Sequence, residues 1–300
     1  MTTDSPPPAP RVRRPFLRGC AIVALVFAAF FLLIGLVSRM DDWSLKSGDK
    51  VAVLPVTGLI ADSEATIEQL KKFAKDDSVK AIVLRINSPG GGVGPSQEIY
   101  EEVKKLQGKK IVVASMGALA ASGGYYIACA AQKIYANPGT ITGSIGVIMS
   151  FISVKDLIGK IGLKGMVVKS GAFKDIGSPV RDMKPEERKL LQEVVENVHL
   201  QFVDAVAEGR KLDRKKVMKI ADGRIFSGEQ AKELGLVDAL GNLEDAVAEA
   251  GKMAKIEGEP RVVSPPKKKI SIMELLKEEA KSIIGDKLTE NRIRLDYLAQ

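Results

Sequence analysis

The chain has 300 residues, 45% of them apolar and 27% charged, with a net charge of +8. Those proportions exclude a wholly disordered or collagen-like polypeptide, and an aromatic content of 5% argues against an aromatic-rich RNA-binding surface. Two cysteines are too few for a disulfide framework or a four-ligand zinc site, and the single histidine, His199, excludes chemistry that needs two.

Residues 1–18 form a basic, Pro-rich segment with Arg11, Arg13, Arg14 and Arg18. Residues 19–38 then run for twenty positions without a charge, between Arg18 and Arg39. At about 1.5 Å per residue this is a helix of roughly 30 Å, the thickness of a bilayer core. Ser38-Arg39-Met40-Asp41 is a poor cleavage site, which favours an uncleaved single-pass transmembrane anchor over a signal peptide. The excess of arginine before the span places the N-terminus in the cytoplasm and the remainder outside it. Cys20 lies in the span and Cys129 in an apolar stretch, where both read as buried spectators.

From Val51 the pattern is α/β. Strands are predicted at residues 51–56, 81–86, 111–114 and 133–136, with helices near 67–73 and 96–106, so the sheet is mostly parallel and covered by helices. Residues 184–209 are apolar at helical spacing and predict one long amphipathic helix. A helix–turn unit is expected over 221–240 and a helix over 246–254. The domain spans 45–258, and 259–300 form a tail with an amphipathic helix at 273–284 and no clear structure in the last ten residues. Residues 1–18 and 261–300 carry most of the positive charge, leaving 41–260 almost neutral, so no nucleic-acid partner is called for.

Two segments carry candidate chemistry. Ser88-Pro-Gly-Gly-Gly-Val-Gly94 fails the dinucleotide fingerprint, because Pro95 or Gln97 stands where the third glycine belongs, and no Gly-Lys-Ser/Thr follows for a P-loop. It reads as a tight turn from strand to helix whose backbone N–H groups can hold an anion or an oxyanion. Ala120-Ala121-Ser122-Gly123-Gly124 places a serine among small residues after a strand, where a substrate carbonyl can approach. It is not a strict nucleophile elbow, since Ala120 replaces the first glycine, and a helix cap is the competing role. A nucleophilic Ser122 needs a base. His199 falls within the long helix, and Lys160, Lys164, Lys169 and Lys174 all lie downstream; spacing does not choose among these lysines.

Four ordered motifs now stand together: Arg85-Ile-Asn-Ser-Pro-Gly-Gly-Gly92, Ser115 to Tyr126, Asn137 to Val147 and Lys169 to Pro179. The set resembles the signal peptide peptidase A family in its short bacterial form with one N-terminal anchor. The resemblance implies a Clp protease/crotonase-like α/β fold and a membrane-anchored serine peptidase that degrades remnant signal peptides without metal or cofactor. It implies Ser122 as nucleophile, Lys174 as general base, Ser144 as the hydroxyl that orients the lysine, and Gly91 and Gly123 as oxyanion donors. Val147 stands where a Clp-type histidine is expected, so that triad is not available. The family further implies a hydrophobic peptide substrate, residence in the bacterial inner membrane with the catalytic domain on the periplasmic side, and a homo-oligomer in which Lys174 can serve a neighbour's Ser122. The alternatives are a crotonase-like acyl-CoA enzyme and a catalytically inert membrane scaffold.

Overall fold

The computed structural model describes residues 27–30, 32, 48–266 and 296–298. The chain divides into a short unit that ends at Gly48 and a compact unit from Asp49 onward. In the first, residues 27–30 and 32 are helical. No helix among the described residues is long and apolar enough to cross a membrane; most of the apolar span 19–38 lies outside them, as does the amphipathic segment 273–284.

The second unit contains β1 (Lys50–Ile60), α1 (Glu64–Lys75), β2 (Val79–Gly92), α2 (Val93–Leu106), β3 (Ile111–Ala121), α3 (Gly123–Ala128), β4 (Lys133–Ala136) and β5 (Ile141–Gly143). It continues with α4 (Lys155–Lys160), α5 (Pro185–Arg210), α6 (Arg214–Ile220), β6 (Ile225–Ser227), α7 (Gly228–Glu233), β7 (Ala239–Leu240), α8 (Leu243–Met253), β8 (Arg261–Val263) and β9 (Asp296–Leu298). The described strands form one sheet with β6-β5-β3-β2-β1-β8 side by side, β4 joining β3 to β7, and β9 lying on β2. Its central pairs are parallel, as the alternation of strands and helices predicts, whereas β5–β6 and β2–β9 are antiparallel.

Side-chain alternation along β1 divides the core. Ala52, Leu54 and Val56 face a large cluster with Leu70, Ile99, Val103, Ile127, Phe202 and Val206. Val51 and Val53 face a smaller one closed by Ala246, Val247 and Ala250 of α8. The period of two thus covers both faces of β1, β2 and β3, at roughly 1.5–3 kcal/mol for each large aliphatic side chain removed from water.

Three elements differ from the sequence reading. The glycine run is not a turn: β2 stays extended through Gly92, because β1 pairs with it on one side and β9 on the other. The last ten residues include a strand, β9, whose Tyr297 is fully buried. The stretch 221–240 holds two short strands flanking α7, and α6 precedes it, capped by the Asp213 carboxylate on the N–H groups of Lys215 and Lys216.

Candidate active site

β3 makes the site. Its first half pairs with β4 through Val113–Ser115, and its second half pairs with β5 through Leu119–Ala121. Ala121 and Gly143 are register partners, so Ser122 and Ser144 are the next residues of two adjacent parallel strands. Both take a left-handed backbone, with φ of 51° and 50°. Such a conformation costs about 1–3 kcal/mol for a residue with a β-carbon. It turns the chain sharply out of β3 and into α3, which is the geometry of a displayed nucleophile. The Ser122 N–H donates to the Gly143 carbonyl at 2.8 Å, and the Ser122 carbonyl accepts from Tyr126 N–H at 2.8 Å. With its backbone fixed at both ends, the side chain is wholly buried and Oγ has no hydrogen-bond partner among the described residues.

Glycines from β2 and α3 converge beside this hydroxyl. A β-carbon on Gly123 would lie 3.3 Å from the Gly91 nitrogen and 3.3 Å from the Gly90 α-carbon, so the two amides share one small space. A β-carbon on Gly91 would meet the Ile60 nitrogen at 2.6 Å, and one on Gly90 would meet the Gly123 nitrogen at 2.7 Å. Only glycine lets these strands approach so closely. Gly123 opens α3, where its N–H has no acceptor within the helix. Ser88 holds the approach from below: its hydroxyl donates to the Gly58 carbonyl at 2.6 Å and accepts from Gly90 N–H at 3.1 Å. Ser96 donates to the Gly92 carbonyl at 2.9 Å.

β9 lies along this edge. Gly90, Gly91 and Gly92 face Leu298, Tyr297 and Asp296. The Tyr297 ring stacks on Tyr126 at 5.1 Å and meets Phe202 at 4.7 Å, while Tyr126 also contacts Tyr100 at 4.8 Å. Burial pushes the Tyr126 phenol up to about 12. β9 thus fills the edge of β2 beside Ser122, and its Tyr297 ring completes an aromatic cluster with Tyr126 and Phe202.

The structure thus brings Ser122, Ser144, Gly91 and Gly123 to one place, and it does not bring Lys174 to them. Lys174 is exposed on a turn, with its N–H donating to the Gly171 carbonyl at 3.2 Å. No side chain between 146 and 186 is buried, and this stretch exposes Ile152, Leu157, Ile161, Leu163, Met166 and Val168. His199 sits half-buried on α5, and no described contact joins it to Ser122. Burial pushes the Cys129 thiol up to about 12, which keeps it protonated and unreactive. Sequence reasoning missed the roles of Ser88 and the aromatic group around Tyr126, which depend on partners far along the chain, and of Ser96, whose bond to the Gly92 carbonyl is local but leaves no pattern in the sequence.

Known proteins resemble this chain. Residues 104–257 match the sequence profile of peptidase family S49, and residues 52–142 match that of Clp protease. A Synechocystis protein assigned as a protease is 47% identical across 72% of this chain and 79% of its own length. An Enterococcus faecium protein assigned as the signal peptide peptidase SppA is 41% identical, across 70% of this chain and 65% of its own. Protease 4 of Salmonella typhi is 39% identical across 72% of this chain, which spans only 37% of that longer protein.

Proposed function

This chain belongs to peptidase family S49, and from that premise we propose how it, as a serine peptidase, cleaves peptides: Ser122 attacks and Lys174 serves as general base. The neutral Lys174 amine takes the hydroxyl proton as Ser122 Oγ bonds to the peptide carbonyl carbon. The carbonyl oxygen, now an anion, is held by the N–H groups of Gly91 and Gly123, and Ser144 orients the amine. The lysine returns the proton to the departing peptide nitrogen, leaving an acyl-enzyme. Water then repeats the sequence and frees Ser122.

The observation that carries this reading is the buried Ser122 hydroxyl on a strained turn, beside two amides that only glycine allows to approach. That the hydroxyl has no hydrogen-bond partner among the described residues, while Lys174 stands exposed among uncovered apolar side chains, supports a homo-oligomer in which one subunit's lysine completes another's site. An extended apolar peptide can take the place of β9 on the edge of β2 and of Tyr297 in the aromatic cluster, in keeping with remnant signal peptides as substrate. The apolar run 19–38 supports anchoring in the bacterial inner membrane, with the peptidase domain on the periplasmic side. Membership in a peptidase family leaves the acyl-CoA and scaffold readings without support.

Ser122→Ala and Lys174→Ala are each expected to abolish cleavage of a signal-peptide-like substrate while preserving the fold. Full turnover in either variant would sink the dyad.

A further inference from the structure

Lys174 stands in a part of the chain that packing does not hold. No residue from 146 to 186 buries its side chain, so the turn needs another restraint. Charge supplies it at the next residue. The Asp175 carboxylate pairs with Lys169 and accepts from Arg181 Nε at 2.8 Å, and the Asp175 main-chain carbonyl accepts from Arg181 Nη2 at 3.0 Å. The same guanidinium reaches the other way, donating to both Glu187 oxygens at 2.8 and 2.5 Å and to the Asp182 carbonyl at 2.9 Å.

Glu187 is the anchor of the chain of contacts. It is almost fully buried in the first turn of α5 and accepts from the N–H of Lys184, the residue that precedes the helix, at 2.9 Å. Asp182 adds an ion pair with Lys155 of α4. A planar fork with donors on two sides can bridge two carboxylates and two backbone carbonyls at once, which a lysine at 181 cannot do.

We propose that Arg181, clamped between Asp175 and the buried Glu187, is the positioning residue for Lys174, fixing the turn that carries the base to the rigid start of α5. This rests on the reading of Lys174 as general base. Replacing Arg181 by glutamine removes the fork that ties Asp175 to Glu187, whereas replacing Asp175 by asparagine keeps the main-chain carbonyl contact and loses only the charged one.

The test measures kcat and KM for Arg181→Gln, Arg181→Lys, Asp175→Asn and Lys174→Ala, with thermal unfolding as a check on folding. Arg181→Gln is expected to fold and to lower kcat about 10- to 100-fold with KM within twofold. Arg181→Lys should recover little of the loss, and Asp175→Asn, which keeps the carbonyl contact, should lose less than Arg181→Gln. Wild-type kcat in folded Arg181→Gln and Asp175→Asn, beside an inactive Lys174→Ala, would overturn the positioning role alone. Losses of kcat that come with an equal rise in KM, or that follow the loss of thermal stability, would mark the cluster as structural only and overturn it as well. An active Lys174→Ala would overturn both the positioning role and the assignment of the base.

Discussion

The Tyr297 carbonyl oxygen and the Gly123 amide nitrogen close on the α-carbon of Gly90 so tightly that no β-carbon fits between them. One placed there would stand 2.7 Å from the Gly123 nitrogen and collide with the Tyr297 oxygen. The backbone at Gly90 also has φ of 106°, which a side chain strongly disfavours. Gly90→Ala is therefore expected to destabilise the protein by about 1–3 kcal/mol from strain alone. It should also reduce turnover by shifting the Gly123 amide from the oxyanion position. Gly94→Ala is the control: its β-carbon meets nothing within 4 Å, and Gly94 lies in α2, so stability should hold or rise by up to about 1 kcal/mol. Thermal unfolding and kcat of the two variants check the contrast, and equal effects would show that the crowding at Gly90 is unimportant.

β9 occupies the strand edge that an extended substrate is proposed to use. A peptide that adds to β2 must displace Asp296–Leu298 and take over the place of the Tyr297 ring against Tyr126 and Phe202. A chain ending at residue 295 is thus expected to show a several-fold lower KM for an apolar peptide, with kcat within about twofold. It should also unfold at lower temperature without substrate, because a fully buried aromatic ring has been removed. An unchanged KM would place the substrate on another edge.

How far these features are legible in the sequence depends on the range of the contacts that make them. Ser122 is visible because the signal is local: a strand of small residues ends in Ser-Gly-Gly, and the structure places that serine on a sharp turn into α3. The strand over 51–56 is likewise legible from its local apolar run, and both of its faces are buried, Val51 and Val53 in one cluster and Ala52, Leu54 and Val56 in the other. The extended course of Ser88–Gly92 is not visible, since it depends on β9, which lies some 200 positions on. For the same reason the strand in the last ten residues escapes local pattern: Asp296-Tyr-Leu298 has neither length nor alternation of its own. Choosing Lys174 from four lysines required resemblance to a family. Its turn is exposed and restrained by ion pairs, and ion pairs leave no periodicity to read.

The ion pairs around Arg181 give the protein a defined sensitivity to acid. Arg181, aided by the Lys184 amide, holds the Glu187 carboxyl at about 2, and Arg181 with Lys169 holds Asp175 well below the usual carboxylate range. Both groups are depressed in the folded protein, so their contribution is complete above the unfolded values of about 4. It is lost as pH falls from there through about 2, because the unfolded chain takes up protons first. Thermal unfolding of the wild type is therefore expected to fall steeply between about pH 5 and pH 2.5. Glu187→Gln lacks the depressed carboxyl; it should be less stable than the wild type at pH 7, fall less steeply through this window, and converge with the wild type near pH 2. Circular dichroism melts at half-unit intervals measure both slopes, and parallel curves would show that the Arg181–Glu187 pair does not contribute to the pH dependence of folding.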